Sequence, residues 1–509
     1  MSDNCKRTPL SWAAGEGRDE VVMLLLGKKD VNPNVADRDG QTPLTWAARN
    51  GHDGVVKLLL GRKDVNPNVQ DNDGQTPLLW ATMRRRDRVV ELLLEHDDVN
   101  PNMADASGLT PLRCAAVDGN DQVVKLLLER QDVTPNMTDN LGQTALSQAS
   151  KSGHEGVVKL LLGCQDVNPN ITDKQSQTPL SSAAARGHHG VVQLLLEHED
   201  TNPNMADYIG KTPISRASES GHKEMVKLLL RCQNVNPNIA DKYGQTPLLL
   251  AAERGHHGVV QLLLERKGAN LNMTDNTGQT PLSRASESGH EEVVKPLLRY
   301  QNVNPNMADK YGRTPLLLAA EWGYEEVVKL LLRCQNVNPN IFDREGRTPL
   351  FVANHHGIIQ LLLECEDVNP NITDNFGRTL LYRSAHFADD RTAELLLERE
   401  DITPNIQSHH IQTPLATAAR LGHGGVVKLL LGHKDVNPNI TDKVGRTPLS
   451  WAASSGSDEA VQLLLGRKDV DPNIPDNDGR TPLWWASCTR KEGAVRLLKA
   501  RQSANPDAV

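Results

Sequence analysis

The string Thr-Pro-Leu, or a close variant of it, returns along this chain at a fixed interval. It begins at Thr8, Thr42, Thr76, Thr110, Thr144, Thr178, Thr212, Thr246, Thr280, Thr314, Thr348, Thr379, Thr413, Thr447 and Thr481. These fifteen anchors lie 34 residues apart, except for one step of 31 between Thr348 and Thr379. A unit of a few dozen residues cannot bury its apolar face alone, so successive units must stack on one another. The 509 residues therefore read as a single array over 1–509, and not as the about three domains that length alone implies. The units run approximately 3–36, 37–70, 71–104, 105–138, 139–172, 173–206, 207–240, 241–274, 275–308, 309–342, 343–373, 374–407, 408–441, 442–475 and 476–509.

Residues Asp71 to Ala104 show what one unit specifies. Asp71-Asn72-Asp73-Gly74 is a turn in which glycine supplies a positive φ. Thr76 can cap a helix and Pro77 suits its first position. A short first helix follows, with Leu78 and Ala81 on one side, and Val89–Leu94 reads as the apolar face of a second helix. Asp98-Val99-Asn100-Pro101-Asn102 leads out to the next turn. Most units mark the break between helices with glycine, as at Gly51, Gly153, Gly187 and Gly422.

The string D-x-x-G-x-T-P-L-x-x-A-A-x-x-G-H-x-x-V-V-x-L-L-L resembles the ankyrin repeat. Ankyrin repeats run roughly 33 residues. The additional residue here falls in the exit segment, whose Asn-Pro-Asn form resembles the long ankyrin arrays of filamentous fungi. The resemblance covers the whole chain and implies an all-α fold, an α-solenoid of about 15 repeats with no separate globular domain. The histidine that usually follows Thr-Pro-Leu is replaced by Ser11, Thr45, Leu79 and others. That departure alters local capping bonds and not the fold.

Composition removes several function classes. Aromatic content is 3% and net charge is −8, with no long basic stripe to follow a phosphate backbone. Direct nucleic-acid binding is therefore not expected. Apolar runs such as Val21–Leu26 are too short to span a bilayer, and the N-terminus lacks the apolar segment of a secretory signal. The seven cysteines are scattered. Cys164, Cys232, Cys334 and Cys365 share one repeat position, and neighbouring units stand roughly 10 Å apart, too far for a disulfide. They read as reduced thiols of a cytosolic or nuclear protein. Zinc is not expected without a Cys-x-x-Cys pair.

No catalytic or cofactor constellation is present in the sequence. Gly210-Lys211-Thr212 imitates the end of a phosphate loop, but the first glycine of such a loop would fall at Met205. Asp37–Gly40 and Asp71–Gly74 begin like calcium loops and then run into Thr-Pro-Leu. His188-His189 and His256-His257 read as packing or solvent-facing pairs, and Arg84–Arg88 as a solvated face more than a nuclear-import signal. The five Asn-x-Thr sequons, from Asn136 to Asn439, follow from the repeat consensus.

Departures from the repeat concentrate in one region. Repeat eleven is three residues short, with Asn354 where glycine normally sits, a residue that tolerates the left-handed conformation. Thr379 lacks its proline, and repeat thirteen opens Ser408-His409-His410-Ile411. All four phenylalanines lie between 342 and 387. In ankyrin proteins the finger tips and the exposed side of the first helix line a concave groove. By motif position the resemblance places Tyr243, Tyr311 and Phe376 at finger tips. Trp322 and Phe387 fall just before the inter-helix turn, and Arg347 and Arg378 immediately before Thr. Aromatics with arginine are the composition of binding hot spots, so these seven residues are the candidate partner-binding set; drift in a tolerant array is the competing reading. Pro296, inside a second helix, reads as a tolerated scar of a recent two-repeat duplication more than as a hinge. Residues 211–244 and 279–312 differ at only 7 positions, and Leu228 is its counterpart.

Five tryptophans, Trp12, Trp46, Trp80, Trp451 and Trp485, fall at one half-buried position and read as packing. The first repeat carries the full apolar consensus, so that end reads as covered by a partner or as the trace of an ancestral upstream domain. The last repeat ends Leu497-Leu498-Lys499, the polar dressing of a terminal unit. The resemblance implies a non-catalytic scaffold that binds a partner protein. Two narrower roles stay open. One is a fungal coregulator of metabolite gene clusters acting through a DNA-binding partner. The other is a sensor array detached from a signalling nucleotidase.

Overall fold

The computed structural model describes residues 3–504, and among them there are thirty α-helices and no strand. They form fifteen consecutive pairs, each a short first helix, a tight turn and a second helix. Two compact units divide the chain, one of residues up to 251 with 258–269, the other of 252–257 with the residues from 270 onward. Within each, neighbouring first helices pack on one another, as do neighbouring second helices, and the fold is an α-solenoid.

Repeat two, in the first unit, shows how the sequence dictates the pair. Thr42 sits in the extended region and its hydroxyl accepts from Thr45 N. Pro43, which has no N–H to leave unsatisfied, opens the helix Pro43–Asn50. Gly51 ends it at φ +87°, where a side chain would be strained. The helix Asp53–Leu60 follows. Leu44, Ala47, Ala48, Val55, Val56 and Leu59 are buried. The small alanines let first helices approach closely, and each buried Val or Leu contributes about 1.5–3 kcal/mol only when the next repeat covers it.

The finger before each Thr is organised by its aspartate. Asp37 Oδ1 accepts from Asp39 N at 3.0 Å and Gln41 N at 2.9 Å. Its second oxygen takes the indole N–H of Trp46 at 2.9 Å. The same bond joins Trp12 to Asp3, Trp80 to Asp71, Trp451 to Asp442 and Trp485 to Asp476. All five are thus finger locks; Trp46, Trp80, Trp451 and Trp485 are also buried or half-buried, whereas Trp12 is exposed. In five of the ten repeats without this tryptophan, arginine substitutes. Arg216 and Arg284 reach Asp207 and Asp275 from the tryptophan position. Arg313, Arg347 and Arg378 reach Asp309, Asp343 and Asp374 from just before Thr.

The Asn-Pro-Asn exit segment makes a second inter-repeat system. The side chain of Asn306 donates to Asn336 O at 2.6 Å and accepts from Asn338 N at 2.8 Å, both in the following repeat. The first unit repeats this at Asn34, Asn68, Asn102, Asn136, Asn170 and Asn204. Each such asparagine uses both amide atoms to bind the next repeat. The sequon asparagines Asn136, Asn170, Asn272, Asn371 and Asn439 all belong to this ladder.

The irregular places resolve individually. Asn354 is not left-handed, contrary to expectation. The first helix of repeat eleven, Pro349–Val352, ends after four residues in extended backbone at Ala353, so no left-handed cap follows. Three other residues without glycine's freedom do take that role: Arg85 at φ +54°, Ala388 at +58° and Arg490 at +57°. Pro296 lies inside Glu291–Leu298, which keeps the usual eight residues. Arg85 to Arg88 are held locally, Arg85 on Asp118 O, Arg86 on Arg49 O and Arg88 on Glu91. His188 bonds Lys151 O across the repeat boundary. Lys211 is consumed by Glu219 at 2.8 Å. On the second helix of repeat one, Val21, Met23 and Leu24 are exposed.

Candidate functional site

Three of the candidate aromatics sit at finger tips fixed by the aspartate turn. Tyr243 N, Tyr311 N and Phe376 N donate to Asp241, Asp309 and Asp374. The carbonyl of Tyr311 accepts from Arg344 N, and that of Phe376 from His409 N, so the tips are tied to the following fingers. With the backbone pinned, the rings face outward, and Tyr243, Tyr311 and Phe376 are all exposed. Trp322 and Phe387 are the last residues of the first helices Pro315–Trp322 and Leu380–Phe387, and are exposed too.

Arg347 and Arg378 are immobilised by fork-like pairs to the finger aspartates. Arg347 Nε and Nη2 lie 2.8 and 2.7 Å from Asp343 Oδ2. Arg378 makes the equivalent pair to Asp374 at 2.8 and 2.6 Å, with its guanidinium 4.7 Å from the Phe376 ring centroid. Such planar stacking lets arginine present its charge beside an aromatic face.

Four of the seven candidates converge. A depression of about 500 Å³ is lined by Arg347, Phe376, Arg378 and Phe387, with Glu345, Phe351, Tyr382, Arg383, His386 and His410. Glu345 and Arg347 also line an adjoining depression of about 240 Å³ with Tyr311 and Arg313. Trp322 lines neither, and Tyr243 belongs to the other compact unit. The sequence reading missed Glu345, Arg383, His386 and His410. Arg383 carried the one usable signal: it stands at the tryptophan position of a repeat that already has an arginine before its Thr.

That duplication has a structural consequence. Arg378 occupies Asp374, so Arg383 is free to reach back to repeat eleven. It donates to Phe351 O at 2.5 Å and Ala353 O at 2.7 Å. These carbonyls lie at the end of the four-residue helix, where a further turn would otherwise supply N–H partners. Arg383 therefore caps the truncated helix. A second depression of about 220 Å³, lined by Asn354, Leu380, Arg383, Ser384, Phe387, Asp389 and Thr392, opens beside it. Burial pulls the Arg383 guanidinium below its ordinary pKa, with Asp389 the one charge that opposes the shift. His386 is also lowered, first by burial and then by the positive charges of Arg420, His423 and Arg378.

The chain matches the family model for ankyrin repeats (3 copies) in overlapping stretches at 1–71, 53–139, 99–173, 146–241, 229–309, 297–374, 352–442 and 415–508. It belongs to the ankyrin-repeat family, whose fold is a protein–protein interaction module and typically a non-catalytic binding scaffold. Among solved structures it is similar to the ankyrin repeat domain of Bcl-3, a unique member of the IkappaB protein family. Identity is 29%, over 44% of this chain and 99% of that chain, with a TM-score of 0.40. No curated protein matches the sequence. Among the described residues no helix is long and apolar enough to cross a membrane.

Proposed function

We propose that the chain is a non-catalytic scaffold whose partner protein docks in the groove at repeats ten to twelve. The observation that carries this reading is the convergence of Arg347, Phe376, Arg378 and Phe387 on one depression. Aromatic and arginine side chains held rigid by secondary contacts lose little entropy on binding, which is why they dominate interface energetics. Tyr311 extends the same surface through the adjoining depression, and the exposed Trp322 and Tyr243 offer further contact area along their own repeats. The seven free cysteines fit a reducing compartment, cytosol or nucleus. Val21, Met23 and Leu24 support a second contact at repeat one.

The test is affinity capture from native cytosol and nuclei, comparing the wild type with Tyr311→Ala/Trp322→Ala/Phe376→Ala. All three side chains are exposed, so the variant keeps its circular dichroism spectrum and melting profile. Loss of one partner from the variant supports the groove. An unchanged set of captured proteins means that the aromatics are drift. The narrower roles, coregulator or detached sensor array, are separated by the identity of that partner: a DNA-binding protein for the first, a nucleotidase for the second.

A further inference from the structure

Arg383 is unlike the other arginines of the groove. Arg347 and Arg378 each face a finger aspartate, whereas Arg383 makes no ion pair among the described residues. Two of its five N–H donors go to the carbonyls of Phe351 and Ala353. Asp389, the one carboxylate whose charge acts on Arg383, forms no ion pair with it; its Oδ1 accepts from Thr392 N at 3.0 Å and lies 3.0 Å from His356 Nε2. Arg383 lines the depressions on both its sides, and the one acidic residue lining the larger, Glu345, is held 3.3 Å from Arg347. Phe376 and Phe387 line the larger depression together with Arg383, and are 56% and 72% exposed.

A half-buried cation without a counter-ion, beside exposed rings, is an incomplete interaction. A carboxylate is the group that completes it, because it matches the guanidinium fork and neutralises the charge together. Resting on the reading of this groove as the partner surface, we propose that it takes an acidic polypeptide segment. A side-chain carboxylate of the segment sits on Arg383, and a bulky apolar side chain packs against Phe376 and Phe387. The carboxylate supplies selectivity and the apolar contact most of the buried area.

The test uses random twelve-residue peptides displayed on phage, selected on the full chain and then assayed on Phe376→Ala/Phe387→Ala. Both rings are exposed, so that variant folds. Selected peptides are expected to carry Asp or Glu close to Leu, Phe or Trp. Replacing that acid by its amide should weaken binding about tenfold or more, the loss of a charge-assisted bidentate contact, and Arg383→Lys should weaken it similarly while keeping the charge. Peptides that depend on Phe376 and Phe387 but tolerate the amide overturn the carboxylate assignment and leave the groove reading standing. A pool that binds the double variant as well as the wild type overturns both.

Discussion

Repeats ten and eleven stand next to each other and differ in one element. Both have an aspartate finger with an arginine lock, and both have an eight-residue second helix, Glu325–Leu332 and His356–Leu363. Their first helices are Pro315–Trp322 and Pro349–Val352. The ladder passes through both without change. Asn306 holds Asn336 O at 2.6 Å and Asn338 N at 2.8 Å, while Asn340 holds Asp367 O at 2.6 Å and Asn369 N at 2.8 Å. The three missing residues are therefore absorbed entirely by the first helix and its turn. Stacking register is set by the parts that bond across repeats. The first helix, whose residues line the depression, is free to shorten provided that a neighbour satisfies its exposed carbonyls.

The largest expected effect breaks that provision. Arg383→Leu leaves Phe351 O and Ala353 O without their donor, and should cost roughly 2–3 kcal/mol. In hydrogen exchange the loss of protection should centre on repeats eleven and twelve and spare repeat ten; uniform loss would mean that Arg383 is no local cap.

A smaller effect sharpens the comparison. Asn306→Ala and Asn340→Ala should each cost about 1–2 kcal/mol in urea unfolding, since each removes two hydrogen bonds. Equal costs are expected. A much cheaper Asn340→Ala would show the ladder slack at the deletion.

The smallest effects concern left-handed turn positions, and their signs oppose. Gly323 has φ +85°, and a Cβ there would meet the His355 ring, so Gly323→Ala should destabilise by about 1 kcal/mol or more. Ala388→Gly, at φ +58°, should stabilise by roughly 0.5–1 kcal/mol. Ile411→Gly, at φ +55° in the finger of repeat thirteen, should do the same. Melting temperatures decide all three.

The sequence made the period, the Thr-Pro helix starts, the glycine turns and the Val-Val core legible, because each rests on local backbone chemistry. Asn354 was misread for a reason of the same kind. Its alignment with glycine assumed that a helix reaches it, and the helix ends a turn earlier. The ladder stayed hidden because Asn-Pro-Asn looks like an ordinary exit turn until the next repeat supplies partners about thirty residues away in sequence. The site was half legible. Motif position placed Phe376, Phe387, Arg347 and Arg378 on one face, but it could not separate them from Tyr243 or Trp322. Nor could it show that Arg378, by occupying Asp374, releases Arg383. That exchange depends on three side chains and a helix end in a different repeat.

The most direct test restores the missing turn. Replacing Thr348–Asn354 with the ten residues Thr246–Gly255, with phenylalanine kept at the position of Phe351, returns repeat eleven to a 34-residue period and leaves the aromatic lining unchanged. The measurement is the affinity of this graft for the partner held by the wild-type groove, taken alongside its unfolding curve. If the short helix and its arginine cap create the binding surface, the graft folds at least as stably and loses the partner by about tenfold or more. A stable graft that holds the partner as tightly as the wild type contradicts that claim.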